Sequence, residues 1–497
     1  MAHAISPSRA ENYPEWYQAV IKAADLAEHS PVRGTMVMKP WGFGVWELMQ
    51  KGLDGFIKET GHDNVAMPTL LPLAFFEKEA EHVEGFAKET MVMTHYRVKP
   101  DENGKLIPDP GSELEQPLVL RPTSELMFGH MYAKWIQSYR DLPLLLNQWG
   151  SVFRWEMRTR LFLRTSEFIW QEGHTAHETQ AEAIAETKLM YTVYNRFMRD
   201  YLAVASIGGY KTPDELFPGA LQTMTLESMM QDKKALQAAT SHFLGQNFAK
   251  ASDITFSDRN GDQQHVWTTS WGASTRMIGG LIMSHADDDG LVLPPRVAPA
   301  QIIILPIYKK DDEKITVMAA VAALQLELKS HTAFGEPLRV KIDDRDVRGG
   351  EKTWQAIKKG VPIRLEIGPK DLQKGQICLG RRDKSTKEKV FLATADAVSQ
   401  IPAILESMQQ SLLAVSDERL KSNTQVVANL DDFRAFFEKD SGFALAYWHE
   451  AAINHPIFAE LKVTPRCIPV AGQTNESAQC IFSGETTTTQ VIFAKSY

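Results

Sequence analysis

The sequence predicts a multi-domain α/β protein of α+β type, with an antiparallel hairpin at the heart of its first domain. Three observations support this. The chain has 497 residues, more than one hydrophobic core usually organises. Between Trp149 and His177 two segments with period-2 alternation flank a basic stretch, as two antiparallel strands and their connection would. Beyond a Pro-rich boundary near residues 290–300, short apolar runs alternate with helical patterns, the signature of an α/β unit with a mixed sheet.

From the N-terminus, ENYPEWYQAVIKAADLAE predicts a helix with Trp16, Val20, Ala23 and Ala24 on one side. A Gly/Pro-marked turn, PVRGTMVMKPWGFGVWE, leads to a helix from Trp46 that stops at Gly61. NVAMPTLLP reads as a strand ending at Pro68, with Pro72 beyond it. Residues 77–115 combine helix-forming and polar loop material. PLVLRPTSELMFGHMYAKW is a short strand entering a helix; Thr123 or Ser124 would cap it, and Glu125 in the first turn complements the dipole.

In the hairpin, Val152, Arg154 and Glu156 share one face, and Phe168, Trp170, Glu172 and His174 share a face of the second strand. If these faces coincide, so many charges cannot be buried in an apolar core, which leaves a ligand-binding floor or a solvated face laced with salt bridges. MRTRLFLRTS would be a long, mobile connection. From Glu178 to about Phe248 the pattern is mainly helical, with MMQDKKALQAATSHFLGQNFAKA as a second helix and Gln237, Thr240 and His242 at a break within it. A strand through Val266 and Trp267 then reaches Gly272 and a helix in which Met277, Leu281 and His285 share a side. Gly279 and Gly280 weaken that helix by roughly 1 kcal/mol each relative to Ala, so they signal close packing. Arg276 opposes the helix dipole and needs an anion or a stacking partner. Further on, a helical linker, AVSQIPAILESMQQSLLA, precedes a smaller α/β unit ending QVIFAKSY.

Composition narrows the function classes. A net charge of −8 argues against nonspecific coating of nucleic acid. Locally the balance reverses: Arg364 to Lys389 holds eight Lys/Arg against four acids, which suits nucleic acid or a lysine-protected strand edge. Three separated cysteines, Cys378, Cys467 and Cys480, make no disulfide framework and point to a reducing cytoplasm. No run approaches a membrane span, and the first residues lack the apolar core of a signal peptide, so no membrane partner is expected.

The FRWE hairpin, its basic loop, RTSEF and the later STR resemble motifs 2 and 3 of class II aminoacyl-tRNA synthetases. RPTSE, WQEGH, QAATSHFLGQNF, TTSWGASTR and GLVLPP are similar specifically to prolyl-tRNA synthetases, over nearly the whole chain. The resemblance is to the archaeal/eukaryotic-like form, because only about a hundred residues separate the hairpin from TTSWG and leave no room for a large inserted editing domain. It implies a class II antiparallel-sheet catalytic domain over residues 1–295, a mixed-sheet α/β anticodon-binding domain over 299–400 and a small C-terminal α/β domain over 401–497. It implies ATP-dependent attachment of L-proline to tRNA(Pro) through prolyl-adenylate, with Mg²⁺, in a homodimer whose interface includes the motif closed by Pro68.

By the same resemblance Arg154, Glu156 and Arg276 are the catalytic candidates. Arg154 bridges the substrate carboxylate and α-phosphate, Phe168 and Arg276 sandwich the adenine, Arg164 reaches phosphate, and Glu156 meets the adenine edge or a metal-bound water. Thr165, Gln237, Thr240, His242 and Ser274 complete the ATP set. Thr123 and Glu125 hold the imino nitrogen of proline, while Arg154, Trp170, Glu172 and His174 complete its pocket. Two departures stand out. Gln355, Ala356 and Ile357 replace the acidic, tryptophan-containing EWE usual before KGVP, and Cys480 with Ser483 lacks an upstream cysteine pair, which argues against a structural zinc.

Overall fold

The computed structural model describes residues 4–77, 89–386, 388–439, 441–474 and 476–497. Part of the 77–115 stretch, and Lys387 of the basic run, therefore lie outside the described residues.

Helix α1 (Tyr13–Ala23) is capped by Asn12. Helix α2 (Pro40–Glu59) starts at a proline, earlier than expected from Trp46. Of the glycines that suggested a turn, Gly34 does sit in one, at φ 87°, but Gly42 and Gly44 lie inside the helix, where Gly42 allows close approach: a Cβ would sit 2.2 Å from the Leu26 carbonyl oxygen. The expected strand up to Pro68 reduces to β1 (Asp63–Asn64) and a separate short strand, Leu70–Pro72, in a three-stranded sheet with Met91–His95 and Glu113–Leu120.

Helix α3 (Glu125–Trp135) leads to β2 (Leu144–Phe153) and β3 (Glu167–His177), paired antiparallel from Ala176↔Leu144 to Glu167↔Phe153. The regular ladder stops at Phe153, but Arg154 N still donates to Ser166 O at 2.9 Å. The connecting loop is not the free element its composition suggests. Leu161, Phe162 and Leu163 are buried in the core of α1 and α2, which anchors its middle.

After α4 (Gln180–Asp200), β4 (Ser206–Tyr210), β5 (Gln222–Met229) and β6 (Ala235–Gly245) form an antiparallel run. The second helix expected here is thus strand β6. Ala, Lys, Gln and Leu favour helix in isolation, but Lys233 at φ 64° closes a hairpin onto β5, and pairing between two neighbouring strands overrides that preference. β7 (Trp267–Ser274) pairs with both β3 and β6, and α5 (Arg276–His285) follows. Gly279 and Gly280 do mark close packing: Cβ atoms there would lie 2.5 Å from Leu163 Cδ2 and 2.9 Å from Leu236 Cδ2.

The next unit alternates as expected: β8 (Ile302–Pro306), α6 (Asp311–Lys329), β9 (Val340–Ile342), α7 (Gly349–Lys358), β10 (Ile363–Ile367), β11 (Gln376–Arg381) and β12 (Val390–Ala393). Its sheet order is β9-β8-β10-β11-β12, parallel in the first three strands and antiparallel beyond them. The basic stretch is not a uniform surface. Arg364 and Arg382 are buried, Arg382 gripping Asp287 through contacts of 2.5 and 2.7 Å, while Arg381 pairs with Asp383 and Lys389 with Glu366.

Helix α8 (Thr394–Ser422) crosses to the last unit, where β13 (Thr424–Val426), β14 (Phe443–Tyr447), β15 (Thr464–Pro469) and β16 (Gln490–Ala494) complete the large sheet. Its eleven strands run β13-β14-β16-β15-β4-β5-β6-β7-β3-β2-β1, so the C-terminal strands continue the sheet that carries the hairpin. The largest core, with Trp16, Trp46, Tyr194, Phe197 and Leu281, also takes Trp271 and Ala273 from β7. The alternate residues Ser270, Gly272 and Ser274 are left for the opposite face.

Candidate active site

That opposite face is floored by cross-strand neighbours drawn from distant parts of the chain. Trp170 on β3 lies opposite Ser274 on β7. Glu172 lies opposite Gly272, which in turn faces Thr240 on β6. His174 lies opposite Ser270, which faces His242. Directly paired residues share a face, so the hairpin and the TSH segment meet on one surface. Gln237 is three residues before Thr240 and would point away in a regular strand, but a bulge at Leu226/Glu227 restores it to that face.

Every residue predicted for the site, from Thr123 to Arg276, lines one cavity of about 410 Å³ above this floor. Their chemistry divides it. At one end, Arg154 Nε donates to Pro122 O at 2.9 Å, and its guanidinium carbon lies 5.6 Å from the ring centroids of both Phe168 and Trp170. Burial lowers the Arg154 pKa, and the carboxylates of Glu125, Glu89 and Glu172 partly restore it. Arg276 is pushed down to about 10, first by burial and then by repulsion from Arg164 and Arg154. Three guanidinium groups lining one cavity, those of Arg154 and Arg276 desolvated by burial and that of Arg164 half-exposed, form an anion-binding field. Among the described residues the Arg276 side chain makes one hydrogen bond, from Nε to the Leu163 carbonyl at 3.4 Å, and its guanidinium lines the cavity. Glu156 accepts from Arg158 N at 2.7 Å and lies 3.8 Å from Arg164.

At the other end, Thr123 Oγ1 donates to Glu125 Oε2. Ser124 holds the N-cap position of α3 but makes no capping bond with its side chain. It donates instead to Glu172 Oε1 at 2.5 Å, where Gln148 Nε2 also donates at 2.5 Å. His174 Nε2 lies 3.1 Å from Glu172 Oε2, and its ring stacks on Phe128 at 4.1 Å. Burial pushes the Glu172 carboxyl up, but the bonds from His174 and Ser124 and the field of Arg121 outweigh it and hold the pKa below the ordinary value. Glu172 therefore braces the cavity wall as an ionised group. His242 is held neutral, its pKa lowered to about 3 by burial and by His174 and Lys211. Thr165 is turned to its own backbone, donating to Glu167 O at 2.7 Å.

The cavity has further walls that the sequence did not suggest. Glu89, Lys211, Glu215, Phe217, Thr223 and Ser270 also line it. The Phe217 ring lies 4.5 Å from that of His242, which shares a 2.9 Å hydrogen bond with Thr223 Oγ1. Ser270 and Thr223 follow from strand register and could have been found once β5 and β7 were aligned with β6. Glu215 ends a single 3-10 turn, Pro213–Glu215, and Phe217 lies just beyond it, in a segment with no periodic signal.

Comparison with known proteins agrees with this geometry. Residues 96–285 match the family model described as tRNA synthetase class II core domain (G, H, P, S and T). Residues 301–402 match the model for an anticodon binding domain, and residues 430–497 match that for the prolyl-tRNA synthetase C-terminal region. Proline--tRNA ligase of Bdellovibrio bacteriovorus is 56% identical over 498 residues, covering 99% of both chains. Proline--tRNA ligase of Rhodopirellula baltica is 53% identical over 500 residues, covering 99% of this chain and 98% of its own. Proline--tRNA ligase 2 of Anaeromyxobacter dehalogenans is 51% identical over 507 residues, with the same coverages. The cavity, its three arginines and these full-length likenesses lead to one conclusion: the chain belongs to the proline–tRNA ligase family of class II aminoacyl-tRNA synthetases.

Proposed function

We propose the following division of labour for the ATP-dependent attachment of L-proline to tRNA. ATP occupies the arginine-rich end, with adenine between Phe168 and Arg276 and phosphates toward Arg154 and Arg164. Proline occupies the end walled by Trp170, Glu172 and His174, its cationic imino nitrogen toward Thr123 and Glu125; His242, expected in the ATP set, is moved to this end because the register sets it beside Ser270 and His174. Activation then needs charge neutralisation and alignment rather than a protein nucleophile. Arg154 lies between the two ends and offsets the negative charge that develops as the proline carboxylate attacks the α-phosphate. Pyrophosphate leaves, and in the second step the terminal ribose of tRNA takes the prolyl group, with AMP leaving. The observation that carries this reading is the junction at Arg154, whose guanidinium faces Phe168 on the ATP side and Trp170 on the proline side.

Gln237, Thr240 and Ser274 line the cavity on the strands beside Arg276 and complete the nucleotide site. Mg²⁺ enters with ATP and, when bound, neutralises phosphate charge. Glu156, with Glu89 nearby in the cavity wall, would supply carboxylate oxygens for it or its waters. Among the described residues there is no cluster of three or more His, Cys, Asp or Glu able to hold a metal by itself.

We read residues 1–295 as the catalytic domain, 299–400 as the anticodon-binding domain and 401–497 as the C-terminal domain. The likeness of the segment closed by Pro68 to the interface motif of this class supports a homodimer. Among the described residues no helix is long and apolar enough to cross a membrane, and the three cysteines are free; both are compatible with a cytoplasmic enzyme. Exchange of labelled pyrophosphate into ATP, assayed with each amino acid, tests the substrate assignment. Proline is expected to give the highest kcat/KM, and a different preferred amino acid would refute it.

A further inference from the structure

The floor of the cavity extends further than its substrate residues require. Lys211, Thr223, His242, Ser270 and His174 form one row across five adjacent strands or strand ends, with Lys211 N donating to Thr223 O at 2.8 Å. Lys211 Nζ lies 3.1 Å from Glu227 Oε1, which also accepts from Thr225 Oγ1 at 2.9 Å. The other carboxylate oxygen, Glu227 Oε2, is held by Arg466 on β15, whose Nε and Nη2 lie 3.0 and 2.9 Å away. Glu215 lies 4.0 Å from Lys211. Two cations and the Glu227 carboxylate thus meet at a buried site, with Glu227 at 0% and Arg466 at 7% exposure and the partly exposed Glu215 at its rim.

Such a cluster is a costly way to join two units. Desolvating these charges consumes most of their attraction, and well-packed apolar residues would serve as well or better for stability alone. Its position suggests what it is for. Lys211, Glu215 and Phe217 all line the cavity, and Phe217 packs on His242. We propose that Arg466 is a positioning residue for the amino-acid end of the active site: acting through Glu227, it fixes Lys211 and the 211–217 segment that carries Phe217 onto His242. The C-terminal unit is then part of the proline site without touching substrate. The segment reaches the cavity through Phe217 on His242, at the amino-acid end, so KM for proline is expected to respond more than KM for ATP.

This inference rests on placing proline beside His174 and His242, and the test separates the two. Proline-dependent pyrophosphate exchange is measured on the full-length chain with Arg466→Met, Lys211→Met, the double variant, and Trp170→Ala as the control for the site. Arg466→Met is expected to raise KM for proline about tenfold while KM for ATP changes less than about twofold, the selectivity that a purely structural role would not produce. The double variant is expected to match Lys211→Met alone, because both changes break one pathway. Wild-type KM for proline in Arg466→Met, or multiplying effects in the double variant, overturns the positioning role, provided Trp170→Ala raises KM. Unchanged KM in Trp170→Ala overturns the site placement itself. Should Arg466→Met not fold, Arg466→Lys carries the test: it keeps the charge but not the two-nitrogen grip, and is expected to raise KM for proline about threefold. An unchanged value there overturns the proposal.

Discussion

Glu172 and His174, two residues apart on one strand, meet at 3.1 Å across the wall of the active-site cavity, and the carboxylate is braced from behind by Ser124 and Gln148. Glu172→Gln puts an amide NH2 where one carboxylate oxygen stood, so that it either faces the Gln148 amide donor or forces Ser124 or His174 to turn from donor to acceptor. A buried donor left facing donors costs about 1–3 kcal/mol. The variant is expected to unfold at lower temperature and to raise KM for proline more than KM for ATP, measured by thermal unfolding and pyrophosphate exchange. Equal changes in both KM values would show that Glu172 does not orient the amino-acid end.

Stability should fall as the pH drops below neutrality. The pKa of His242 is depressed to about 3 and that of His285 to about 4, chiefly by burial, against 6.5 when unfolded. A group depressed on folding stabilises fully above its unfolded pKa and loses that contribution as pH falls toward the folded value. Between pH 6.5 and about 4, unfolding therefore takes up protons at both residues, at up to ~1.4 kcal/mol per pH unit for each. Denaturant titrations across that window are expected to show this slope, and to show it reduced in His242→Asn. A pH-independent midpoint would contradict the assignment.

Gly173 leaves room for Trp271. A Cβ at residue 173 would come within 2.0–2.2 Å of three atoms of the indole ring, which sits in the core beneath the site floor. Gly173→Ala is expected to destabilise by about 1–3 kcal/mol or more through overpacking, read as a lower denaturation midpoint. An unchanged midpoint would mean that the ring moves aside freely.

Metal removal should separate catalysis from folding. Cys480 is buried, and its Sγ accepts from Ser483 N at 3.4 Å. Treatment with a strong chelator is expected to leave the unfolding temperature unchanged while abolishing activation, with activity restored by Mg²⁺. A lowered unfolding temperature restored by zinc would reveal a structural metal site.

Much of the fold was legible because it obeyed simple periods. The alternation along Trp170, Glu172 and His174 matches the face that β3 presents, and Arg276, singled out by its unfavourable placement at a helix start, lines the cavity. The misreadings have a common physical origin. Residues 235–245 look helical in isolation and become a strand only because β5 and β7 are there to pair with them. The basic stretch looked like a surface because sequence does not reveal that Arg364 and Arg382 are buried. Lys211, Glu215 and Phe217 were invisible for a related reason: they follow β4, which pairs with β15 more than two hundred residues away.

The central claim is that Arg154 stabilises the charge formed when proline attacks ATP. The direct measurement is proline-dependent pyrophosphate exchange by Arg154→Ala, with folding checked by thermal unfolding. The expected result is a folded protein whose kcat/KM falls by about 10²–10³, the loss typical of removing one preorganised charge-stabilising group. A folded Arg154→Ala protein that keeps wild-type kcat/KM would contradict it.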